Sequence, residues 1–125
     1  MTTKRSETGK LGEDKACEYL KKNGYKIIER NHRNKIGEID AIAIDKDKTL
    51  VFIEVKTIRN SGNQEMMPED NLNSRKIGIL SKVCDQYANS SPHLIHSEKG
   101  WRIDLLALTI EEENVVIEHY KNIAP

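Results

Sequence analysis

Two neighbouring stretches constrain this chain more than any other part of it. "IGEIDAIAID", residues 36–45, and "LVFIEVKT", residues 50–57, are separated by the polar turn "DKDKT" and read as a β-hairpin. Side chains alternate along a strand, so Ile36, Glu38, Asp40, Ile42 and Ile44 share a face with Leu50, Phe52, Glu54 and Lys56. Ile39, Ala41 and Ala43 share the other with Val51, Ile53 and Val55. Both faces are mostly apolar. A sheet wetted on one side shows polar residues along that whole face, so this hairpin must be covered on both sides. A fold with helices on each face of a sheet is required.

The rest of the chain supplies the covers. "GKLGEDKACEYLKKNG" carries Ala16, Cys17 and Leu20 on one stripe and predicts a helix over 9–23 that Gly24 terminates. "YKIIERN" predicts a strand. From Ser74 to Asn89, Ile77, Leu80, Val83, Cys84 and Tyr87 recur at helical spacing, a second helix stopped before Pro92. "WRIDLLALTI" and "NVVIEHY" flank the acidic turn "EEEN" as two further strands, and "IRNSGNQEMMPEDNLN" has the polarity of a loop. The expected order is αβββαββ, an α/β domain with a mixed sheet, one domain over residues 1–125, long enough to bury a genuine core. Cys17 and Cys84 stand alone at helical positions, which predicts reduced core residues rather than a disulfide or zinc site. The chain has no apolar run of the roughly 18 residues that a membrane span needs, and its charged start is unlike a signal peptide. The expectation is a cytoplasmic protein with no membrane partner.

Acids inside those buried strands need a reason. A hairpin centred on Asp47 puts Asp40 opposite Glu54 and Glu38 opposite Lys56, with directly paired Cβ atoms about 5 Å apart; a turn two residues longer or shorter shifts the pairing. Facing carboxylates repel, and burying them is costly unless positive charge lies between them. A divalent cation supplies that charge through hard oxygen ligands, and a cross-strand ion cluster is the structural alternative. Glu13 falls on the inward stripe of the first helix, which suggests a third carboxylate approaching the same place. The net charge of zero argues against a strongly basic non-specific nucleic-acid binder, yet it is unevenly spread. Residues 1–35 hold ten Lys/Arg against five Asp/Glu, whereas residues 36–74 hold four against eight. A basic lip beside an acidic centre suits chemistry on phosphodiesters.

An acid on the first helix, an Asp on one strand and Glu-x-Lys on the next resemble the PD-(D/E)XK nuclease superfamily. "GKLGEDKACEYLKKNGYKIIERNHRNKIGEIDAIA" and "VFIEVKT", with "RKIGILSKVCDQYA" and "WRIDLL", resemble the YraN-type family of small bacterial proteins, similar in fold to Holliday-junction resolvases. The chain departs from that pattern at Ala41, where a bulkier apolar residue is usual, and at Ile58, which stands where an Arg is usual and is followed by Arg59. The resemblance implies a restriction-endonuclease-like fold and a metal-dependent endonuclease acting on DNA, branched or recombination intermediates included. It also admits a catalytically inactive nucleic-acid-binding or adaptor module. It implies Glu13, Asp40, Glu54 and Lys56 as catalytic residues. Mg²⁺ or Mn²⁺ would be held by Asp40, Glu54, the Val55 carbonyl and Glu13. Glu38, two residues before Asp40 on the same face, is either an outer ligand or, the favoured reading, a partner of Lys56. Arg33, Lys76 and Arg59 are the implied nucleic-acid contacts, and Asp104 is an accessory or structural position. A homodimer is expected, with Trp101, Met66 and Met67 as interface residues. His93 and His96 read as surface residues, and the four tyrosines show no clustered stacking platform.

Overall fold

The computed structural model describes residues 4–59 and 72–124, with side chains from residue 7 onward. Its elements are α1 (Lys4–Lys22), β1 (Lys26–Arg33), β2 (Glu38–Ile44), β3 (Leu50–Arg59), α2 (Ser74–Ser90), a short 3₁₀ turn (Pro92–Leu94), β4 (Trp101–Ile110) and β5 (Val115–Tyr120). The strands form one mixed sheet in the order β1-β2-β3-β4-β5. Only the β3–β4 pair is parallel, and α2 lies in the connection that such a pair requires. Among the described residues no helix is long and apolar enough to cross a membrane.

The order αβββαββ is the one expected, with one difference in extent. The first helix starts at Lys4, about a turn and a half before the expected start at residue 9. The extension, Lys4 to Thr8, is polar throughout, and at Gly9 just after it an added Cβ would meet nothing within 4 Å. The other end follows the sequence closely. Gly24 takes a φ of 85°, its N–H donates to the Lys21 carbonyl, and Tyr25 N–H donates to that of Leu20. This pair of bonds is the glycine-centred Schellman cap. At the start of α2, Asn73 accepts the Lys76 N–H at 3.0 Å through its side chain.

Each helix covers one face, as the two-sided hairpin demands. Ala16, Cys17 and Leu20 of α1 pack on Ala41, Ala43, Val51, Ile53, Leu106 and Leu108. On the other face Leu80, Val83, Cys84 and Ala88 of α2 pack on Ile42, Leu50, Phe52 and Ile103. Both cysteines are free and buried. Trp101, expected at a dimer contact, packs edge-to-face on Phe52 with ring centroids 5.2 Å apart and joins the α2-side core. Met66 and Met67 lie outside the described residues. Alternation from Ala41 assigns Ile39 to the α1 side, yet it packs with the α2-side cluster. Strict alternation fails there because β2 is no longer paired with β3 beyond Ala41.

A close approach sets the height of α1 on the sheet. Gly12 faces β3 where an added Cβ would fall inside the Thr57 side chain, 2.7 Å from its Cγ2. Without a side chain there, α1 lies directly against β3, one residue before Glu13.

Candidate functional site

The register of the central hairpin is the one centred on Asp47: Ile44 pairs with Leu50, Ala43 with Val51, Ile42 with Phe52 and Ala41 with Ile53. The ladder stops there, one pair short of Asp40 and Glu54. Past this point a side chain replaces the backbone partner. Val55 N–H donates to Asp40 Oδ2 at 2.7 Å. Asp40 thereby stays anchored to β3 while its strand turns away, and its carboxylate is held in the opening between the strands.

The electrostatics of that opening are unfavourable for an acid. Burial, then the negative charge of Glu54, push the Asp40 carboxyl up to about 7, against the lowering effect of the Val55 N–H. Glu54 is also raised, by burial first, although Lys56 opposes this. Lys56 Nζ lies 3.3 Å from Glu54 Oε1, with both side chains largely covered. The repulsion therefore falls on Asp40, beside which no cation stands among the described residues. Glu13 reaches the same region from α1. Burial raises its carboxyl, Arg30 pulls it down, and the nearby Glu38 pushes it up again. Four carboxylates thus act on one another across the splayed end of β2 and β3.

The expected partner of Lys56 is Glu38, and the structure pairs neither with the other. Glu38 is exposed and accepts two bonds from Arg33, at 2.8 Å from Nη2 and 3.2 Å from Nε. The physical reason is the early end of the ladder: Glu38 is no longer beside β3, whereas Arg33 is its direct partner on β1. Lys56 turns instead to Glu54, two residues away on its own face. Arg33, expected at nucleic acid, is 79% exposed at the edge of the opening and carries this ion pair with it. Lys76 at the first turn of α2 lines a cleft of about 130 Å³ with Glu38, Glu54, Leu72, Ile79 and Leu80, and its charge lowers the Glu54 carboxyl.

Two expected positions lie away from this cleft. Arg59 falls on the α1 face of β3, where its Nε donates to Thr8 Oγ1 at 2.7 Å. It borders a separate cavity of about 570 Å³ between α1 and the β4–β5 turn. Asp104 is fully buried and belongs to a structural network: Arg102 Nε at 2.9 Å, His119 Nε2 at 2.8 Å and the Asn122 N–H at 3.0 Å all meet its carboxylate. Arg102 also reaches Asp45 and Tyr25, and Tyr19 Oη lies 2.9 Å from His119 Nδ1. These partners are up to 100 residues apart in the chain, and no spacing rule could have joined them. His93 and His96 are exposed, as expected.

Among the described residues no three His, Cys, Asp or Glu side chains converge closely enough to enclose a metal ion by themselves. The donor set is nevertheless suited to a hard divalent cation of the Mg²⁺ type, which takes one or two carboxylates and completes its shell with water and phosphate oxygens. Asp40, anchored through one oxygen only, and the desolvated Glu54 are such a pair.

Known proteins resemble this chain over nearly its whole length. A protein of Desulforamulus reducens, named UPF0102 protein, is 36% identical over 124 residues, 98% of either chain. One of Syntrophomonas wolfei is 37% identical over 116 residues, 93% of this chain and 96% of its own. One of Flavobacterium johnsoniae is 39% identical over 114 residues, 91% and 90% of the two. The family pattern described as Uncharacterised protein family UPF0102 matches residues 12–108, from the glycine that seats α1 to the β4 strand. With the helix, the splayed hairpin and the β4 strand all inside that match, the chain belongs to the UPF0102 (YraN) family.

Proposed function

We propose that this protein is a divalent-metal-dependent endonuclease that hydrolyses DNA phosphodiester bonds, branched repair or recombination intermediates among them, and that its sheet and helices are a restriction-endonuclease-like PD-(D/E)XK core. One observation carries the reading: Asp40 and Glu54 are held together, desolvated, where the β2–β3 ladder opens, with Lys56 beside them. A fold does not hold repelling carboxylates in a partly buried cleft for stability, because each costs several kcal/mol on the order usual for buried charge. It holds them for a ligand that brings positive charge.

Asp40, Glu54 and the Val55 carbonyl would hold the ion, with Glu13 approaching from α1. A bound Mg²⁺ or Mn²⁺ supplies positive charge that polarises a phosphodiester and makes a water molecule acidic. The remaining work belongs to the protein. Lys56 would orient the attacking water or stabilise the negative charge that grows on the phosphoryl oxygens. Arg33 and Lys76 flank the cleft and would position the nucleic-acid backbone.

The closed Lys56–Glu54 pair favours a second reading, in which the same cleft binds nucleic acid without turnover. A cleavage assay with Mg²⁺ and with Mn²⁺, over linear and branched DNA and RNA, decides between them. Products that vanish in Asp40→Asn support the nuclease. Binding without cleavage in either metal supports the non-catalytic module.

A further inference from the structure

The edge strand β1 reverses its faces in mid-course. Arg30 reaches α1, its Nη2 donating to Asp14 Oδ1 at 2.8 Å. His32, two residues on, lies edge-to-face on Tyr87 of α2, with ring centroids 4.9 Å apart. On a regular strand residues two apart share a face. The residue between these two is Asn31, whose φ is 53°. Few residues other than glycine enter this left-handed region, and asparagine is one that does so at modest cost.

The neighbouring strand reverses at the same level. Ala41 of β2 packs on the α1 side of the sheet and Ile39 on the α2 side. Arg30 pairs with Ala41 and His32 with Ile39, which leaves Asn31 level with Asp40. The one left-handed residue of β1 thus stands beside the carboxylate held in the opening of β2 and β3. Backbone outliers of this kind concentrate at functional sites and call for a reason.

The reason lies on α1. Burial raises the Glu13 carboxyl, and the Arg30 charge and a hydrogen bond from the Asn31 side chain oppose it. Two consecutive residues of β1 therefore meet two consecutive acids of α1, Arg30 on Asp14 and Asn31 on Glu13. The Arg30–Asp14 pair is exposed and adds little stability. What the two contacts fix is direction. Glu13 is close enough to Asp40 for its charge to add to the burial and the Glu54 charge that raise the Asp40 carboxyl. A neutral amide donor suits such a place: it orients a carboxylate without cancelling its charge, which stays available to a cation.

We propose that Asn31 is a positioning residue of the carboxylate site, its side-chain amide holding one oxygen of Glu13 so that the other is turned to the opening beside Asp40 and Glu54. The proposal rests on the metal-binding part of the reading above and not on turnover.

The test separates the contact from its use. In nuclear magnetic resonance spectra of the metal-free protein, the signals of the Asn31 side-chain NH₂ should move in Glu13→Ala and stay in place in the control Glu18→Ala; signals that do not respond to Glu13→Ala overturn the proposal. In calorimetric titration with Mn²⁺, Asn31→Gly should bind about tenfold more weakly than wild type, the usual cost of removing a group that orients a metal ligand. Glycine adopts the left-handed backbone freely, so this variant loses the amide and keeps the turn. In the Glu13→Ala background the same substitution should weaken binding no further. An Asn31→Gly protein that binds Mn²⁺ as wild type does would reduce Asn31 to its backbone conformation and overturn the proposal. A tenfold loss that persists without Glu13 would overturn it too, because Asn31 would then act elsewhere. If wild type takes up no Mn²⁺, the proposed function loses its metal, and the hold of Asn31 on Glu13 stands or falls with the resonance result alone.

Discussion

Replacing Asp40 by Asn should make the metal-free protein more stable at neutral to alkaline pH, an unusual outcome for a half-buried residue with a short hydrogen bond. The Asn side-chain oxygen can still accept the Val55 N–H that Asp40 accepts at 2.7 Å, so the anchor between strands survives. What disappears is a negative charge that burial and Glu54 disfavour. The folded protein moves this carboxyl from an ordinary value of 3.8 to about 7. A displacement of about three pH units corresponds to about 4 kcal/mol of penalty on the ionised form. Water entry and side-chain relaxation around a partly buried group reduce this, and about 1–2 kcal/mol is the expected net gain. For a chain of this size that is a rise of roughly 5 °C in melting temperature.

The pH dependence follows from which state holds the proton. Well below about pH 4 the carboxyl is protonated whether the chain is folded or not, and it carries no penalty. Between about pH 4 and pH 7 the folded protein keeps a proton that the unfolded chain has released, so stability falls as pH rises. Above about pH 7 the penalty is complete. Urea denaturation in a chelator, followed by circular dichroism, should therefore find wild type and Asp40→Asn similar near about pH 4 and separated in favour of the variant near about pH 8. A variant less stable than wild type at the higher pH would refute the reasoning and make the acids a structural ion network. So would a difference that is the same at both ends of the range.

Four further outcomes are expected. Calorimetric titration of wild type with Mn²⁺ should give a binding isotherm that is lost in Asp40→Asn, and identical isotherms would remove the metal from the proposal. Lys56→Ala should abolish cleavage while leaving DNA and Mn²⁺ binding within about a factor of a few, since a group acting in the chemical step is separable from ground-state affinity; normal cleavage would return Lys56 to its ion pair with Glu54. Gly12→Ala should cost about 1–3 kcal/mol through its clash with Thr57, and Thr57→Ala, which removes Oγ1 and Cγ2 but leaves a Cβ 2.7 Å from the added methyl, should recover only part of that loss in the double variant; a Gly12→Ala protein as stable as wild type would show that α1 does not need its close seat. Asp104→Ala should destabilise by about 3–5 kcal/mol, because it takes from Arg102 one of its two carboxylate partners and from buried His119 and the Asn122 N–H their acceptor; against burial, bonds from His119, Arg102 and the Asn122 N–H hold the Asp104 carboxyl below its ordinary value, so in wild type this contribution is complete above the unfolded-state pKa and is lost as the pH falls through the lower folded one.

How much of this was legible in the sequence depends on how local its cause is. The glycine cap after α1, the polar turn around Asp47 and the two-faced strands are decided by residues within a few positions of one another, and all took the expected form. The register centred on Asp47 was readable for the same reason, since a short hairpin leaves few pairings that keep both apolar faces intact. The partner of Lys56 was not readable. Counting along the register assigns it Glu38, but that assumes a ladder continuing past Asp40, and nothing in the residue pattern says where pairing stops. Ile39 deviated from its expected face at the same point. The Asp104 network lay further out of reach, because Asp45, Arg102, His119 and Tyr19 are brought together only when all five strands and α1 are in place.

The place where the pattern failed is also where the proposed site lies. While β2 and β3 remain paired, the backbone groups that each strand turns toward the other are satisfied there, and their side chains do no more than pack. Where pairing ends at Ala41 and Ile53, the Val55 N–H needs an acceptor, and an aspartate that supplies it must bring its charge into the gap. The opening thus creates the demand for a side-chain acceptor, the acceptor carries a carboxylate beside Glu54, and the repulsion between the two is what the cation of the proposed function would relieve. A neutral acceptor such as Asn would meet the first need equally well. That Asp stands there instead, with the penalty it imposes on the empty fold, is the physical reason for assigning this opening a ligand and not only an architectural role.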